Sequence, residues 1–212
     1  MKRGVYTEER AEDFLRKYVP VAQHVLVDSL EDAEKAAKKL GFPLVLKIIS
    51  PQALHKSDVK GVRFAKNTEE LIAEYGALIA LAREKKFFLE GILIQEFIEG
   101  SYVLIGLKKD AVFGHVLVFG IGGIYTELLK DVSFRVCPIT EKDAEEMMNE
   151  LKMKELLWGY RGSAPVNLKL LKKTMVTVSR IPLEHKDIEE MDINPFVIND
   201  KNGFVVDARI VV

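Results

Sequence analysis

A lysine inside an apolar segment is the first residue in this sequence whose type indicates chemistry. Residues 43–49 read PLVLKII, so Lys47 is the one charge among apolar neighbours. Burying an unpaired ammonium group is costly. Two interpretations are open. The lysine stem lies along the end of a strand while its amine reaches water, or the amine lies at the edge of a cleft and meets a phosphate group.

The loop that follows, HKSDVKGV, combines a histidine with lysines and a glycine. His55 has a titratable nitrogen that can act as a base or accept a phosphoryl group. Gly61 allows the backbone to approach an anion closely, and Lys56 and Lys60 add positive charge. A solvated surface loop often has the same composition, so this alternative stays open.

The segment DINPFVINDKNGFVVD predicts a β-hairpin with a candidate magnesium site. If Lys201 and Asn202 are the two turn residues, the alternation of side chains places Asp192, Asn194 and Asp207 on one face. Magnesium binds carboxylate and amide oxygens. A slip of one residue in register would move Asp207 to the opposite face, and a polar, solvent-facing side of a hairpin is the alternative.

A glycine-rich segment, FGIGGIYTELLKDVSFR, is followed by charged residues that could bind an anion. It matches neither the phosphate loop with a terminal Gly-Lys-Ser/Thr nor the dinucleotide fingerprint. A β-bulge or a turn explains its glycines equally well. Glu127 and Arg135 lie close behind the glycines, and the guanidinium of Arg135 could clamp an anion.

The segment LIQEFIEG ends an apolar strand with Gln95 and Glu96. A segment that links two lobes can offer its backbone N–H and C=O groups to the edge of an adenine. A plain strand end explains the same residues.

Helix-end signals and strand patterns predict the elements that position these residues. The predicted helices begin at Ser29, Asn67 and Thr140 and just after Pro165, and the helix from Thr140 is predicted to run to Gly159. The predicted strands are residues 43–49, 91–98, 101–109 and 115–122 and a C-terminal pair. Strands occur in antiparallel pairs as well as in alternation with helices, so we expect an α+β protein with two lobes. The hinge would lie at residues 95–101.

The composition excludes several classes of function. The 212 residues carry a net charge of -1, from 31 basic and 32 acidic residues, so no basic surplus indicates nucleic-acid binding. No apolar run approaches the roughly 20 residues of a membrane span, and the charged N-terminal sequence is not a signal peptide. A single cysteine, Cys137, excludes an internal disulfide and favours a reducing, cytoplasmic compartment.

The order of these features resembles the ATP-grasp superfamily. A lysine on a strand is followed by a glycine-bearing loop, a QEFIEG hinge and an Asp-x-Asn strand before an acidic strand. More closely, LKIISPQALHKSDVKGV, FGIGGIYTELLKDVSFRVCP, GYRG and IEEMDINPFVI resemble the β subunit of ADP-forming (NDP-forming) acetyl-CoA synthetase. The resemblance implies a nucleotide cleft between two ATP-grasp lobes, residues 1–95 with a mobile loop at 51–62, and residues 96–212 with the metal-binding hairpin.

The resemblance also implies an activity and a partner. Such acid–thiol ligases interconvert acyl-CoA, ADP and phosphate with a carboxylic acid, ATP and CoA. A CoA-binding α subunit forms an acyl phosphate, and its histidine carries the phosphoryl group to ADP on the β subunit. We therefore expect ATP or ADP and Mg²⁺ as ligands, and an α2β2 heterotetramer with a CoA-binding α subunit.

The resemblance assigns nucleotide and metal contacts. Lys47 would grip the nucleotide phosphates. Asn194 and Asp207 would hold magnesium, with Asp192 beside them near the reacting phosphate. The residues that would line the adenine are Gln95, Glu96, Phe97 and Ile98.

Phosphoryl transfer would involve three further residues. His55 would be a second phosphoryl carrier, and Glu127 and Arg135 would help to receive the incoming phosphohistidine. One departure from the family pattern is Lys60, which replaces a glycine of the usual DVGGV. A second is a Ser-Tyr pair where many ATP-grasp proteins have a ribose-binding glutamate, which leaves GTP open as a substrate. Two alternative functions are a subunit of the succinyl-CoA synthetase type and a non-catalytic ATP-sensing module.

Overall fold

A computed structural model describes residues 4–53, 56, 59–122, 131–160, 162 and 164–212. Within these residues the chain forms eleven strands and six helices. The strands are β1 (Val5–Tyr6), β2 (His24–Val27), β3 (Leu44–Ile49), β4 (Val62–Ala65), β5 (Gly91–Glu96), β6 (Ser101–Asp110), β7 (Gly114–Ile121), β8 (Val132–Val136), β9 (Glu190–Ile198), β10 (Gly203–Val205) and β11 (Ala208–Val211). The helices are α1 (Glu8–Leu15), α2 (Leu30–Leu40), α3 (Thr68–Lys85), α4 (Glu141–Glu150), α5 (Glu155–Trp158) and α6 (Leu168–Glu184).

The chain divides into two compact units. The smaller unit is Ala22–Phe97, and the larger unit combines Met1–Val21 with Ile98–Val212. The division after Phe97 falls inside the predicted hinge. However, residues 1–21 group with the C-terminal segment, whereas the sequence placed them in the N-terminal lobe. The reason is long-range pairing, because β1 lies antiparallel to β11 at the far end of the chain.

The smaller unit is a four-stranded antiparallel sheet in the order β2-β5-β3-β4. Helices α2 and α3 share a hydrophobic core with one face of this sheet. The predicted helix starts are confirmed, because the side chains of Ser29 and Asn67 accept hydrogen bonds from the backbone N–H groups of Asp32 and Glu70, respectively. These caps satisfy donors that the first helical turn leaves without partners.

The larger unit contains a seven-stranded antiparallel sheet in the order β1-β11-β9-β6-β7-β8, with β10 paired to β9. Its core lies between one face of this sheet and helices that include α4 and α6. Thr140 and Asp143 form the predicted capping box at the start of α4. Asn167, after Pro165, caps α6 through the N–H of Leu170.

The single long helix predicted from Thr140 to Gly159 is wrong, because the chain forms α4 and α5 with a break between them. Leu151 is extended. The carboxylate of Asp131 accepts hydrogen bonds from the backbone N–H groups of Lys152 and Met153, each with an N–O distance of 2.9 Å. Asp131 is buried and lies immediately before β8, so no helix-period pattern could reveal this acceptor. Two tertiary hydrogen bonds to Asp131 therefore accompany the break.

We expect Asp131→Ala to destabilise the fold, because two N–H groups would lose their acceptor in a buried place. The expected loss is about 1–3 kcal/mol of unfolding free energy. That loss corresponds to a melting temperature lower by about 2–4 °C per kcal/mol for a chain of this size. Calorimetry and urea unfolding measure both quantities. Asp131→Asn keeps one accepting oxygen and should lose less, so equal losses in the two variants would contradict this account.

No helix in the described part of the chain is both long and apolar enough to cross a membrane.

Candidate active site

Lys47 occupies the middle of β3 rather than the end of a strand. It lies opposite Leu93 of β5 and Val62 of β4, and only 5% of its surface is exposed. Its neighbours Leu46 and Ile48 belong to the core beneath the helices. Side chains alternate along a strand, so Lys47 projects from the opposite face of the sheet. The alternative of a solvent-exposed strand end therefore does not hold.

Gln95 lies on the same sheet face as Lys47. Gln95 is opposite Val45 of β3 and is 1% exposed. Since Leu93 is directly opposite Lys47, Gln95 is its diagonal neighbour, at a typical distance of about 7–8 Å. The smaller unit thus brings a cationic and an amide side chain together on the face that α2 and α3 do not cover.

The residues that follow Gln95 are hydrogen-bonded within the smaller unit. The N–H of Glu96 donates to the Gln23 carbonyl at 3.0 Å, and the N–H of Phe97 donates to the Pro43 carbonyl at 3.2 Å. The Glu96 carboxylate accepts the Gln23 N–H at 2.7 Å. Two of the backbone donors that the sequence offered to an adenine are therefore already used. Ile98, the fourth predicted adenine contact, begins the second stretch of the larger unit.

Replacing Lys47 with methionine is expected to weaken nucleotide binding, because a charged hydrogen bond to phosphate contributes about 1.5–3 kcal/mol. This corresponds to roughly a 10–100-fold increase in the dissociation constant for ADP. Titration calorimetry measures it. Lys39→Met, on α2, is the matched control and should bind as the wild type does. Equal affinity of the Lys47 variant and the wild type would contradict the phosphate role.

The C-terminal hairpin has a longer turn than the sequence predicted. Gly203 lies opposite Ile198 rather than Asp200. The side-chain oxygen of Asn199 accepts hydrogen bonds from the backbone N–H groups of Lys201 and Asn202, at 3.0 and 2.8 Å. Both hydrogen bonds lie within the longer turn. The predicted two-residue turn is therefore wrong, but the register differs by two positions, which keeps Asp192, Asn194 and Asp207 on their predicted common face.

Two of the three predicted metal-site residues lie on β9 of the larger unit, and the third, Asp207, directly precedes β11. The Asn194 N–H donates to the Asp207 carbonyl at 3.1 Å, so these residues are cross-strand neighbours. Asp192 precedes Asn194 by two positions and lies on the same face. All three are partly buried. Two carboxylates and an amide oxygen form a donor set that suits Mg²⁺. Because one of the three residues is an asparagine, this set is not a cluster of three His, Cys, Asp or Glu residues, and no such cluster occurs within the described ranges.

An ion pair on the same face was missed by the sequence analysis. Arg209 lies opposite Asp192, and its guanidinium donates to the Glu190 carboxylate at 2.6 Å. The signal was available, because residues 190 and 209 share this face by the period-two pattern. The predicted register instead placed Asn194 opposite Arg209.

Arg135 projects from β8 towards α4. Its guanidinium forms a bidentate ion pair with the carboxylate of Glu150. A carboxylate oxygen of Glu146 lies 3.6 Å from a guanidinium nitrogen. The hydrogen bond with Glu150 raises the pKa of Arg135, and the same bond lowers the pKa of the Glu150 carboxyl. Two carboxylates therefore already balance this charge. The geometry supports a structural role that links β8 to α4, and the predicted role in receiving a phosphohistidine stays a prediction.

Close packing against neighbouring backbone explains why the first two positions of the glycine-rich segment, Gly120 and Gly122, are glycines. A Cβ atom at Gly120 would lie 2.7 Å from the Asp131 carbonyl oxygen, and one at Gly122 would lie 3.0 Å from the backbone of Tyr102 and Val103. Both positions therefore require close approach of two backbones. Glu127 and His55 lie outside the described residues, so their roles stay predictions.

Lys60, which replaces a glycine of the family pattern, has the backbone conformation that glycine favours. Its φ is +56°, in the left-handed region. A side chain in this region costs roughly 1–2 kcal/mol. The local backbone thus keeps the shape of a glycine position although the residue type has changed.

Comparison with known proteins identifies the family. A family model described as an ATP-grasp domain matches residues 1–212. The β subunit of acetate–CoA ligase [ADP-forming] I from Pyrococcus furiosus is 40% identical over 209 residues, which cover 96% of this chain and 90% of that subunit. The chain belongs to the ATP-grasp family, among the β subunits of ADP-forming acetate–CoA ligases. The predicted family and the predicted α+β ATP-grasp fold are confirmed.

Two further relatives of this ATP-grasp chain are informative. Acetate–CoA ligase [ADP-forming] I of Archaeoglobus fulgidus is 37% identical over 91% of this chain, which spans only 29% of that longer protein. Acetyl-coenzyme A synthetase 1 of Ca. Korarchaeum cryptofilum, solved with coenzyme A, Ca-AMPCP and HgCl+, is 42% identical, with a TM-score of 0.94 over 98% of this chain and 93% of that one.

A second structure of the Korarchaeum enzyme contains coenzyme A and Mg-AMPPCP, with its phosphohistidine segment pointing towards the nucleotide binding site. It is 41% identical to this ATP-grasp chain, with a TM-score of 0.85 over 98% of this chain and 92% of that one. These relatives favour the acetate–CoA ligase type over the succinyl-CoA synthetase type.

Proposed function

We propose that this chain is the nucleotide-binding subunit of an ADP-forming acyl-CoA synthetase, an acid–thiol ligase that also needs a CoA-binding α subunit. It would transfer a phosphoryl group from a phosphohistidine to ADP, reversibly coupled to the interconversion of acyl-CoA and free acid. The observation that carries the proposal is the common face of Asp192, Asn194 and Asp207 in a chain of this family.

The residues of the larger unit fit a magnesium–nucleotide complex. Asn194 and Asp207 would hold Mg²⁺, which, when bound, neutralises phosphate charge during transfer. Asp192, two residues from Asn194 on the same face, would accept a hydrogen bond from the N–H of the phosphorylated His55 imidazole and so orient its phosphorylated nitrogen. The N–P bond would then break as a bond forms between phosphorus and a terminal oxygen of ADP.

The residues of the smaller unit supply charge and recognition. Lys47, on a buried sheet face, would bind the polyphosphate where low exposure to water strengthens the attraction. Gln95, its diagonal neighbour on that face, would contribute an amide to nucleotide binding. His55 would receive the phosphoryl group from the α-subunit histidine and pass it on to ADP.

Assembly and location extend the same proposal. The β-subunit relatives support a separate α subunit, and we propose an α2β2 heterotetramer. We also propose a cytoplasmic location, an archaeal source, which the archaeal relatives support, and ATP or ADP as the nucleotide.

Reconstitution tests this function directly. The chain is mixed with candidate α subunits, and ATP formation is measured from acyl-CoA, ADP and phosphate. We expect ATP only when both chains, magnesium and all three substrates are present. A chain that binds nucleotide but supports no ATP formation with any α subunit would instead be an ATP-sensing module.

A further inference from the structure

Lys60 is a lysine at a position where the backbone favours glycine. Within the described ranges two residues other than glycine have a positive φ, Lys60 and Lys86, both at +56°. Lys86 has an ordinary structural place, because it is the C-cap of α3 and its N–H donates to the Arg83 carbonyl. Lys60 lies between β3 and β4 and caps no helix of the described chain. A backbone outlier of this kind is a starting point for a functional hypothesis.

Hydrogen bonds on both sides of Gly61 hold the turn that contains Lys60. The Gly61 N–H donates to the Lys56 carbonyl at 2.7 Å, and the Gly61 carbonyl accepts a hydrogen bond from the Ile48 N–H at 2.9 Å. A Cβ atom at Gly61 would lie 2.6 Å from the Ile48 side chain, so the turn packs directly on β3. The backbone at residue 60 therefore stays left-handed, and glycine would adopt it at the lowest cost. What the lysine adds at this position is a charge.

The turn places Lys60 close to Lys47 within the smaller unit. Val62 lies opposite Lys47, and the hydrogen bond between Ile48 and Gly61 continues this pairing by one residue. Lys60 is the next residue along the chain. Because a lysine carries its charge on a flexible four-carbon stem, the amines of Lys47 and Lys60 can reach one polyphosphate chain.

The charge of Lys60 is available to a ligand. Lys60 is exposed, and its amine has no hydrogen-bond or ion-pair partner among the described residues. Lys47 differs, because it is buried on its face of the sheet. A nucleoside diphosphate carries more negative charge than one ammonium group balances, and phosphoryl transfer depends on neutralisation of that charge. A second cation beside Lys47 therefore has a chemical use.

We propose that Lys60 is a second phosphate-binding residue, which adds an exposed ammonium group to the buried one of Lys47 and binds the polyphosphate of ADP or ATP. The inference rests on the proposed function, since its ligand is the nucleotide of that function. The binding energy of the Lys60 amine would offset the cost of a left-handed lysine. A glycine at this position, as in the family wording DVGGV, cannot supply such a contact.

Lys60→Gly and Lys86→Gly are matched variants, because each replaces a left-handed lysine with the residue that this backbone favours. Each should raise the melting temperature by about 1–4 °C, since relief of the backbone cost exceeds the added entropy of glycine in the unfolded chain. Lys60→Gly alone should weaken ADP binding, by about two- to fivefold at low ionic strength, as expected for an exposed ion pair. Scanning and titration calorimetry measure the two effects.

Lys60→Gln separates the charge from the backbone. It keeps a long side chain on the left-handed backbone, so it should weaken ADP binding as Lys60→Gly does, without the rise in melting temperature. The loss should be larger for ADP and ATP than for AMP, because the contact is with the polyphosphate. It should also shrink as salt is added, because an exposed charge is screened.

Three results would overturn the proposal. One is wild-type affinity for ADP in both Lys60 variants while Lys47→Met weakens binding, which would leave the proposed function standing. Another is an equal loss for AMP and ADP, which would indicate a contact with the nucleoside or its first phosphate. The third is an equal loss of ADP affinity in Lys86→Gly. A wild-type chain that binds no ADP would instead overturn the proposed function and this inference together.

Discussion

Replacing Asp207 with alanine is expected to abolish the magnesium dependence of nucleotide binding. Asp207 is the cross-strand neighbour of Asn194 and is the one carboxylate of the proposed magnesium pair, so its loss would leave the hard cation with a neutral amide oxygen from that pair. We expect magnesium-dependent affinity for ADP to fall by about 10–100-fold or more, since even outer-sphere changes have effects of this size. The thermal stabilisation that Mg-ADP confers should fall accordingly.

The control for this variant is Asp200→Ala, which removes an exposed aspartate from the turn of the same hairpin. It should keep the wild-type response to magnesium. Titration calorimetry with and without magnesium separates metal-dependent from metal-independent binding. The metal assignment is wrong if the Asp207 variant keeps the full magnesium effect.

Replacing His55 with alanine is expected to stop turnover while leaving nucleotide binding nearly intact. The resemblance makes His55 a phosphoryl carrier, and loss of a covalent carrier removes a step rather than slowing it. We expect ATP formation with the α subunit to fall at least about 10³-fold, as nucleophile removal does in other enzymes. The dissociation constant for ADP should change little.

A matched histidine variant separates the carrier role from general damage. His115→Gln keeps a donor for the Ile188 carbonyl, which the His115 ring contacts at 2.7 Å, and should retain turnover. Phosphate transfer from labelled acyl phosphate adds a direct measurement, because the wild type should carry acid-labile, base-stable phosphate and His55→Ala should carry less. Unchanged turnover in the His55 variant would end the carrier hypothesis.

Local elements were predictable because their signals occupy a few neighbouring residues. The side chains of Ser29, Asn67 and Thr140 each accept a hydrogen bond from the backbone N–H of the residue three positions later. A capping residue thus acts only within the first turn of its own helix. Strand β3 was equally clear from its apolar run. Lys47 interrupts that run on the face opposite the helices, which the period-two alternation already indicated.

Long-range pairing was not predictable from the same patterns. Residues 1–21 join the larger unit through β1, α1 and an isolated bridge between Val21 and Val205. A two-residue strand such as β1 has no periodicity of its own. The break between α4 and α5 has the same cause, since Asp131 lies some 20 positions before the N–H groups it accepts.

The sequence by itself determined the family, the α+β class and the common face of Asp192, Asn194 and Asp207, because motif wording and side-chain alternation are local properties of the chain. Only the tertiary structure decided the true hairpin turn and the neutralisation of Arg135 by Glu150. These features depend on which distant residues come into contact, and hydrogen bonds and ion pairs between such residues leave no periodic trace in the sequence.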